Sequence, residues 1–199
     1  MVLRSILPWA LASLLGLGAG LASAVWLTGE AGMRPVPADP SWSVDALAGA
    51  QDANLYTRAR IARIGLLALN RKEAVYYIAE RDAHGARLME NCRYAISGGE
   101  LPGQWWSLTV YAQDRFLARN QNDAHSVGAQ GLGLDADGRW QVELGPERPT
   151  GTAWLSSRGS GEPSIALRIY RPAAAVVARP LDIRLPRIER LACANGATT

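Results

Sequence analysis

Two cysteines and two histidines are among the scarcest reactive side chains in this 199-residue chain. An even cysteine count in a domain that lies outside the cytoplasm suggests a disulfide. A bridge from Cys92 to Cys193 closes a loop of about 100 residues, worth nominally about 4.7 kcal/mol in the chain-entropy treatment. It would pin the C-terminal tail to the strand expected over residues 87–97. Two buried free thiols are the alternative. A metal pair is disfavoured, because no His or second Cys pair stands at ligand spacing. His84 and His125 both sit in polar, turn-like sequence, and a Ser-His-Asp set picked from so many Ser and Asp residues would carry no information. Gly-x-Ser-x-Gly, a phosphate loop and a dinucleotide fingerprint are all absent. Asp135-Ala136-Asp137-Gly138 has the start of a calcium loop without its third acidic position or distal Glu, so a hairpin turn is the expectation. No catalytic residue, metal site or cofactor is assigned.

The remaining set with binding chemistry is aromatic and cationic. Strand alternation places Trp106, Leu108 and Val110 on one side of residues 104–113, with Trp105, Ser107, Thr109 and Tyr111 on the other. In residues 164–171, Ile165, Leu167 and Ile169 alternate with Arg168 and Tyr170. The aliphatic rows belong to the core. Trp105, Tyr111, Arg168 and Tyr170 therefore occupy second faces where a solvated sheet would carry Lys, Glu or Thr. They suit a cleft that stacks a sugar, lipid or peptide while Arg168 pairs an anion. The alternative is a packing layer under a helix, with Arg168 held by an acidic neighbour.

Short alternating runs broken by Gly, Asp and Pro predict antiparallel strands over residues 74–81, 87–97, 104–113, 132–134, 139–144 and 164–171. Asp82-Ala83-His84-Gly85 and Asp135-Ala136-Asp137-Gly138 are read as hairpin connections. Helices do not recur between these runs, so a parallel α/β sheet is disfavoured and an antiparallel β-sandwich, jelly-roll-like, is expected. One covering helix is predicted over residues 52–70 from Leu55, Ala59, Ala62, Leu66 and Leu69, with Asp52 or Asn54 as its cap.

Before the sandwich lie an apolar segment and a Pro-rich one. Residues 5–29 carry no charge, and residues 6–27 are long enough to cross a layer about 30 Å thick. Trp9 and Trp26 would stand about 26 Å apart along a helix, the spacing of two interfacial belts. Pro8 fits the first turn. Ala22-Ser23-Ala24 matches a signal-peptidase site that would leave Val25 as the new terminus. The retained transmembrane helix is the favoured reading, with Arg4 on the cytoplasmic side. The chain divides into an anchor or signal segment at 1–27, an extended linker at 28–45 around Pro35, Pro37 and Pro40, and a β-sandwich domain at 46–199. At 48% hydrophobic and 20% charged residues the domain should fold, and a net charge of +3 gives no basic stripe for nucleic acid.

The phrases Leu55-Tyr56-Thr57-Arg58-Ala59, Glu73-Ala74-Val75-Tyr76-Tyr77, Trp105-Trp106-Ser107-Leu108-Thr109-Val110-Tyr111 and Leu167-Arg168-Ile169-Tyr170-Arg171-Pro172 resemble, in this order, the bacterial domain-of-unknown-function family 1214. The likeness spans most of residues 50–193. Where family members tend to carry Asn-Trp-Leu-Pro, this chain has Ala153-Trp154-Leu155-Ser156. The resemblance implies a jelly-roll-like domain behind an N-terminal membrane segment. It also implies a companion of family 1254, fused in larger relatives, as a partner. The expected role is binding, as an accessory subunit of an envelope complex at the periplasmic face of the bacterial inner membrane. A hydrolase or lyase acting on envelope material and a carrier of a small hydrophobic ligand are the alternatives.

Overall fold

A computed structural model of the chain describes residues 2–28, 34–36, 39–44, 49, 53–63 and 69–194. The first helix, α1, runs Val2–Leu27, and its stretch Ile6–Leu27 is long and apolar enough to cross a membrane, with none of it buried by the rest of the chain. Pro8 lies inside α1 rather than in its first turn, because the helix starts well before the apolar run that marked it in sequence.

Among the described residues, ten strands form two sheets. β1 (Arg34–Val36), β2 (Asp39–Val44), β3 (Ala74–Ala79), β5 (Gly103–Tyr111), β6 (Ser126–Gly128) and β9 (Ser164–Pro172) form one, in the order β1-β2-β3-β9-β5-β6. β4 (Cys92–Gly98), β7 (Trp140–Gly145), β8 (Ala153–Ser156) and β10 (Arg187–Cys193) form the other, in the order β10-β4-β7-β8. Side chains from both sheets enter one core: Trp42, Tyr77, Leu108, Val110, Ile165, Leu167 and Ile169 from the first, Tyr94, Ile96, Val142, Leu144, Leu155 and Ile188 from the second. Trp106 and Trp140 join them, ring centroids 4.4 Å apart. The alternation read from residues 104–113 and 164–171 is thus the alternation observed.

Several expectations need correction. Within the segment read as an extended linker, the described residues 34–36 and 39–44 are strands: Trp42 pairs with Ala79, Val44 pairs with Tyr77, and both Trp42 and Val44 are buried. Proline hid these strands, and β1, with Pro35, is the edge where a missing N–H is tolerated. The 82–85 turn is not a hairpin within one sheet. It is closed around the Arg81↔Arg87 bridge, with the Asp82 N–H donating to the Ala86 carbonyl at 2.8 Å and the Leu88 N–H to the Glu80 carbonyl at 3.0 Å, and carries the chain from β3 in one sheet to β4 in the other. Residues 132–134 form no strand. The 135–138 turn itself is as expected, with Asp135 Oδ1 accepting from the Asp137 and Arg139 N–H groups at 3.0 and 2.8 Å. β8 lies parallel to β7, the one departure from antiparallel pairing among these strands.

The predicted helix is shorter and turned round. α2 runs Leu55–Arg63, and Asn54 caps it, its Oδ1 accepting from the Thr57 N–H at 2.9 Å. Asp52 and Leu66 lie outside the described residues. The side chains α2 buries are Thr57 and Arg60, whereas Leu55, first of the predicted core-facing stripe, is 80% exposed. A third helix, α3 (Ala174–Ala178), follows β9 and buries Val176.

Candidate functional site

The outer face of the six-stranded sheet carries all four predicted binding residues. Pairing between β3, β9 and β5 sets Ala74, Tyr170 and Trp105 in one row and Tyr76, Arg168 and Ser107 in the next. Trp105 and Tyr170 pack with ring centroids 5.0 Å apart at 41°. Arg168 stands half-buried at the middle of the face, its Nη1 donating to Thr109 Oγ1 at 2.9 Å and its Nη2 donating to the Tyr111 hydroxyl. Its guanidinium carbon lies 5.6 Å from the Tyr111 ring centroid and 6.0 Å from that of Tyr76.

Two consequences follow from these contacts. Thr109 and Tyr111 spend a lone pair each on Arg168, so their own hydroxyl hydrogens point elsewhere and remain available as donors. Among the described residues no carboxylate pairs with Arg168. Tyr76 lies on the β3 side of the face. Tyr76 is buried, and its hydroxyl accepts from the Leu69 N–H at 3.1 Å.

Trp105 reaches over the neighbouring strand. Its indole fills the space where a side chain on Gly128 would be, since a Cβ there would lie 2.6 Å from the ring. Its Nε1 is shielded from solvent with no acceptor among the described residues. A Gly128→Ala variant should therefore displace the indole and break the Trp105–Tyr170 contact, which near-ultraviolet circular dichroism would register as a changed aromatic band without loss of the far-ultraviolet β signal.

Thr109 and Tyr76 are the members that sequence reading left out. Thr109 was visible on the right face but carries no charge or ring to single it out. Tyr76 joins the set only through the β3–β9 register, which no local pattern contains.

Other polar groups turn out to be committed to structure. Asp82 is buried, its Oδ1 accepting from the His84 and Ala86 N–H groups at 3.0 Å each and its Oδ2 pairing with Arg190 at 2.9 Å. His84 is exposed beside Glu189 at 3.3 Å. Glu143, also buried, receives a two-pronged contact from Arg93, and that contact raises the Arg93 pKa further. Burial pushes the Tyr77 phenol upward, so it stays a neutral donor to the Pro180 carbonyl at 2.8 Å. No group of three or more His, Cys, Asp or Glu residues is placed to hold a metal ion among the described residues.

A groove of about 710 Å³ lies elsewhere, at the β4 and β10 ends, lined by Asp39, Glu100, Arg139, Asp182, Arg184 and Arg187 among others. Leu101, Leu181, Ile183, Leu185 and Pro186 line it as well, so it combines an apolar floor with charged walls.

Together these features define a double-sheet β domain with a disulfide, an aromatic and cationic outer face, and an N-terminal apolar helix. The profile of the family described as "Protein of unknown function (DUF1214)" matches residues 73–174, just over half the chain, and the chain belongs to that family. The match includes Trp105, Tyr111, Arg168 and Tyr170 but stops short of Cys193 and begins after α2. The crystal structure of the VPA0106 protein from Vibrio parahaemolyticus is similar in fold, with a TM-score of 0.59 and 22% identity over 71% of this chain and 36% of that one. The chain therefore spans little more than a third of the Vibrio protein's length. A second structure, of a putative uncharacterized protein from Burkholderia cenocepacia, gives a TM-score of 0.46 at 18% identity, covering 59% of this chain and 29% of that one. No curated protein matches the chain.

Proposed function

We propose that the chain is a membrane-tethered binding domain, held by α1 at the periplasmic face of the bacterial inner membrane and acting as an accessory subunit of an envelope complex. Its partner would be a companion protein of family 1254 or another envelope component presenting an anion beside a flat ring. The observation that carries the reading is Arg168, a half-buried cation whose partners are a threonine hydroxyl, a tyrosine hydroxyl and two rings. Such a site is complete as packing but incomplete as electrostatics, and an anionic group from outside would complete it. The apolar span Ile6–Leu27 supports the tether.

Pull-down of the detergent-solubilised chain followed by mass spectrometry tests this. Arg168→Ala should lose a partner that the wild type recovers, while unfolding free energy falls by only about 1–3 kcal/mol for the lost charge-assisted hydrogen bonds. Recovery of every wild-type partner by a stably folded Arg168→Ala would remove the site.

A further inference from the structure

The outward stripe of α2 has no use in the sandwich. At about 100° per residue, Leu55, Ala59 and Ala62 share one side of α2, flanked by Arg63 and by Arg58, whose Nε donates to the Ala53 carbonyl at 3.1 Å, while Thr57 and Arg60 lie on the opposite, buried side. Leu55 and Tyr56 are 80% and 44% exposed. No acidic residue interrupts the helix.

What lies next to that stripe is the end of α1. The apolar span closes at Leu27, and the next residue, Thr28, receives a hydrogen bond on its Oγ1 from Arg63 Nη1 at 3.5 Å. Arg63 belongs to the outward side of α2, so the apolar stripe opens at the level where α1 leaves the apolar layer. A stripe of small and large apolar side chains bordered by arginines, with its polar side turned to protein, is the pattern of a helix lying in a bilayer interface. Arginine stems can follow the apolar layer while their guanidinium groups bind phosphates.

We infer that α2 is a second membrane contact, lying on the bilayer surface from which α1 emerges, with Leu55 and Tyr56 entering the headgroup layer and Arg63 binding anionic phospholipid. This rests on α1 being a retained anchor. It does not depend on the Arg168 face. Its consequence is orientational: a domain fixed at α1 alone could swivel, and a second contact would hold it at one attitude to the membrane.

The test uses the full chain reconstituted into phosphatidylcholine vesicles and into an equal mixture of phosphatidylcholine and phosphatidylglycerol, spin-labelled through Leu55→Cys or, as a control, Leu134→Cys at an exposed domain position. The bridge from Cys92 to Cys193 keeps the native cysteines out of the labelling. Relative accessibility to oxygen against a water-soluble nickel chelate should be several-fold higher at position 55 than at position 134 in the anionic vesicles, lower in phosphatidylcholine alone, and insensitive to lipid composition in Arg63→Gln. A position-55 label as water-exposed as the control in both vesicles, while intact mass confirms that α1 is present, overturns the contact and leaves the anchor standing. A label shielded from both reagents also overturns it, by showing α2 covered by protein. Release of the chain by alkaline carbonate, or a terminus at Val25, removes the anchor and the contact with it.

Discussion

Trp42→Ala should destabilise the folded chain by about 3–5 kcal/mol, the cost of deleting a fully buried aromatic side chain. Trp42 is 0% exposed and sits in β2, the strand that attaches the N-terminal segments to the six-stranded sheet. Its Nε1 also donates to the Pro186 carbonyl at 2.7 Å, so the variant loses a buried hydrogen bond as well as packing. That bond ties β2 to the segment leading into β10, which belongs to the other sheet. Trp42→Phe keeps most of the volume and loses the donor, so it should cost less than the alanine variant, and the difference separates packing from hydrogen bonding. Urea titration of both variants decides the matter. If residues 28–45 were a passive linker, Trp42→Ala would leave the midpoint unchanged; the structure requires a large drop.

The case of Trp42 shows where sequence reading stops. Alternation alone was sufficient for the long strands, since Trp106, Leu108 and Val110 or Ile165, Leu167 and Ile169 repeat often enough to fix a period of two. β8 offers four residues and β6 three, too few for any period to register. β10 is longer, but Ile188 is its one buried residue in a run of charged and exposed side chains, so it has no hydrophobic face to read. The α2 error has a different cause. Periodicity located the helix and offered Asn54 as one of two caps, but an apolar stripe does not say what it faces, and the buried side proved to be Thr57 and Arg60. The outer face shows the same division. Single-strand alternation placed Trp105, Tyr111, Arg168 and Tyr170 on the second side of their strands, while their convergence, and the addition of Tyr76, required the β3-β9-β5 order. Local chemistry is legible from composition and spacing, and the pairing of distant segments is not, except where the two cysteines single out β4 and β10.

Removing the disulfide should have an effect as large as removing Trp42. Cys92 opens β4 and Cys193 closes β10, and the two are paired directly opposite each other in the ladder, 101 positions apart in the chain. β10 is an edge strand with a register shift between Arg190 and Ala192 and with a single buried side chain, so little apolar burial holds its end in place. The bridge therefore carries much of the attachment, together with the Asn91–Ala194 backbone bond at 2.9 Å beside it. The chain-entropy treatment assigns a loop of this length about 4.7 kcal/mol, and loss of a native bridge typically costs about 2–5 kcal/mol. Cys92→Ala/Cys193→Ala should fall in that range by guanidinium titration. Because the bridge acts on the unfolded ensemble, the denaturant slope should also rise, as the uncrosslinked chain exposes more surface when it unfolds. Ile188→Ala provides the comparison: it loosens β10 in the folded state and should lower the midpoint without changing the slope. Equal slopes for bridged and unbridged chains, with no change in midpoint, would show that β10 is held by its ladder alone.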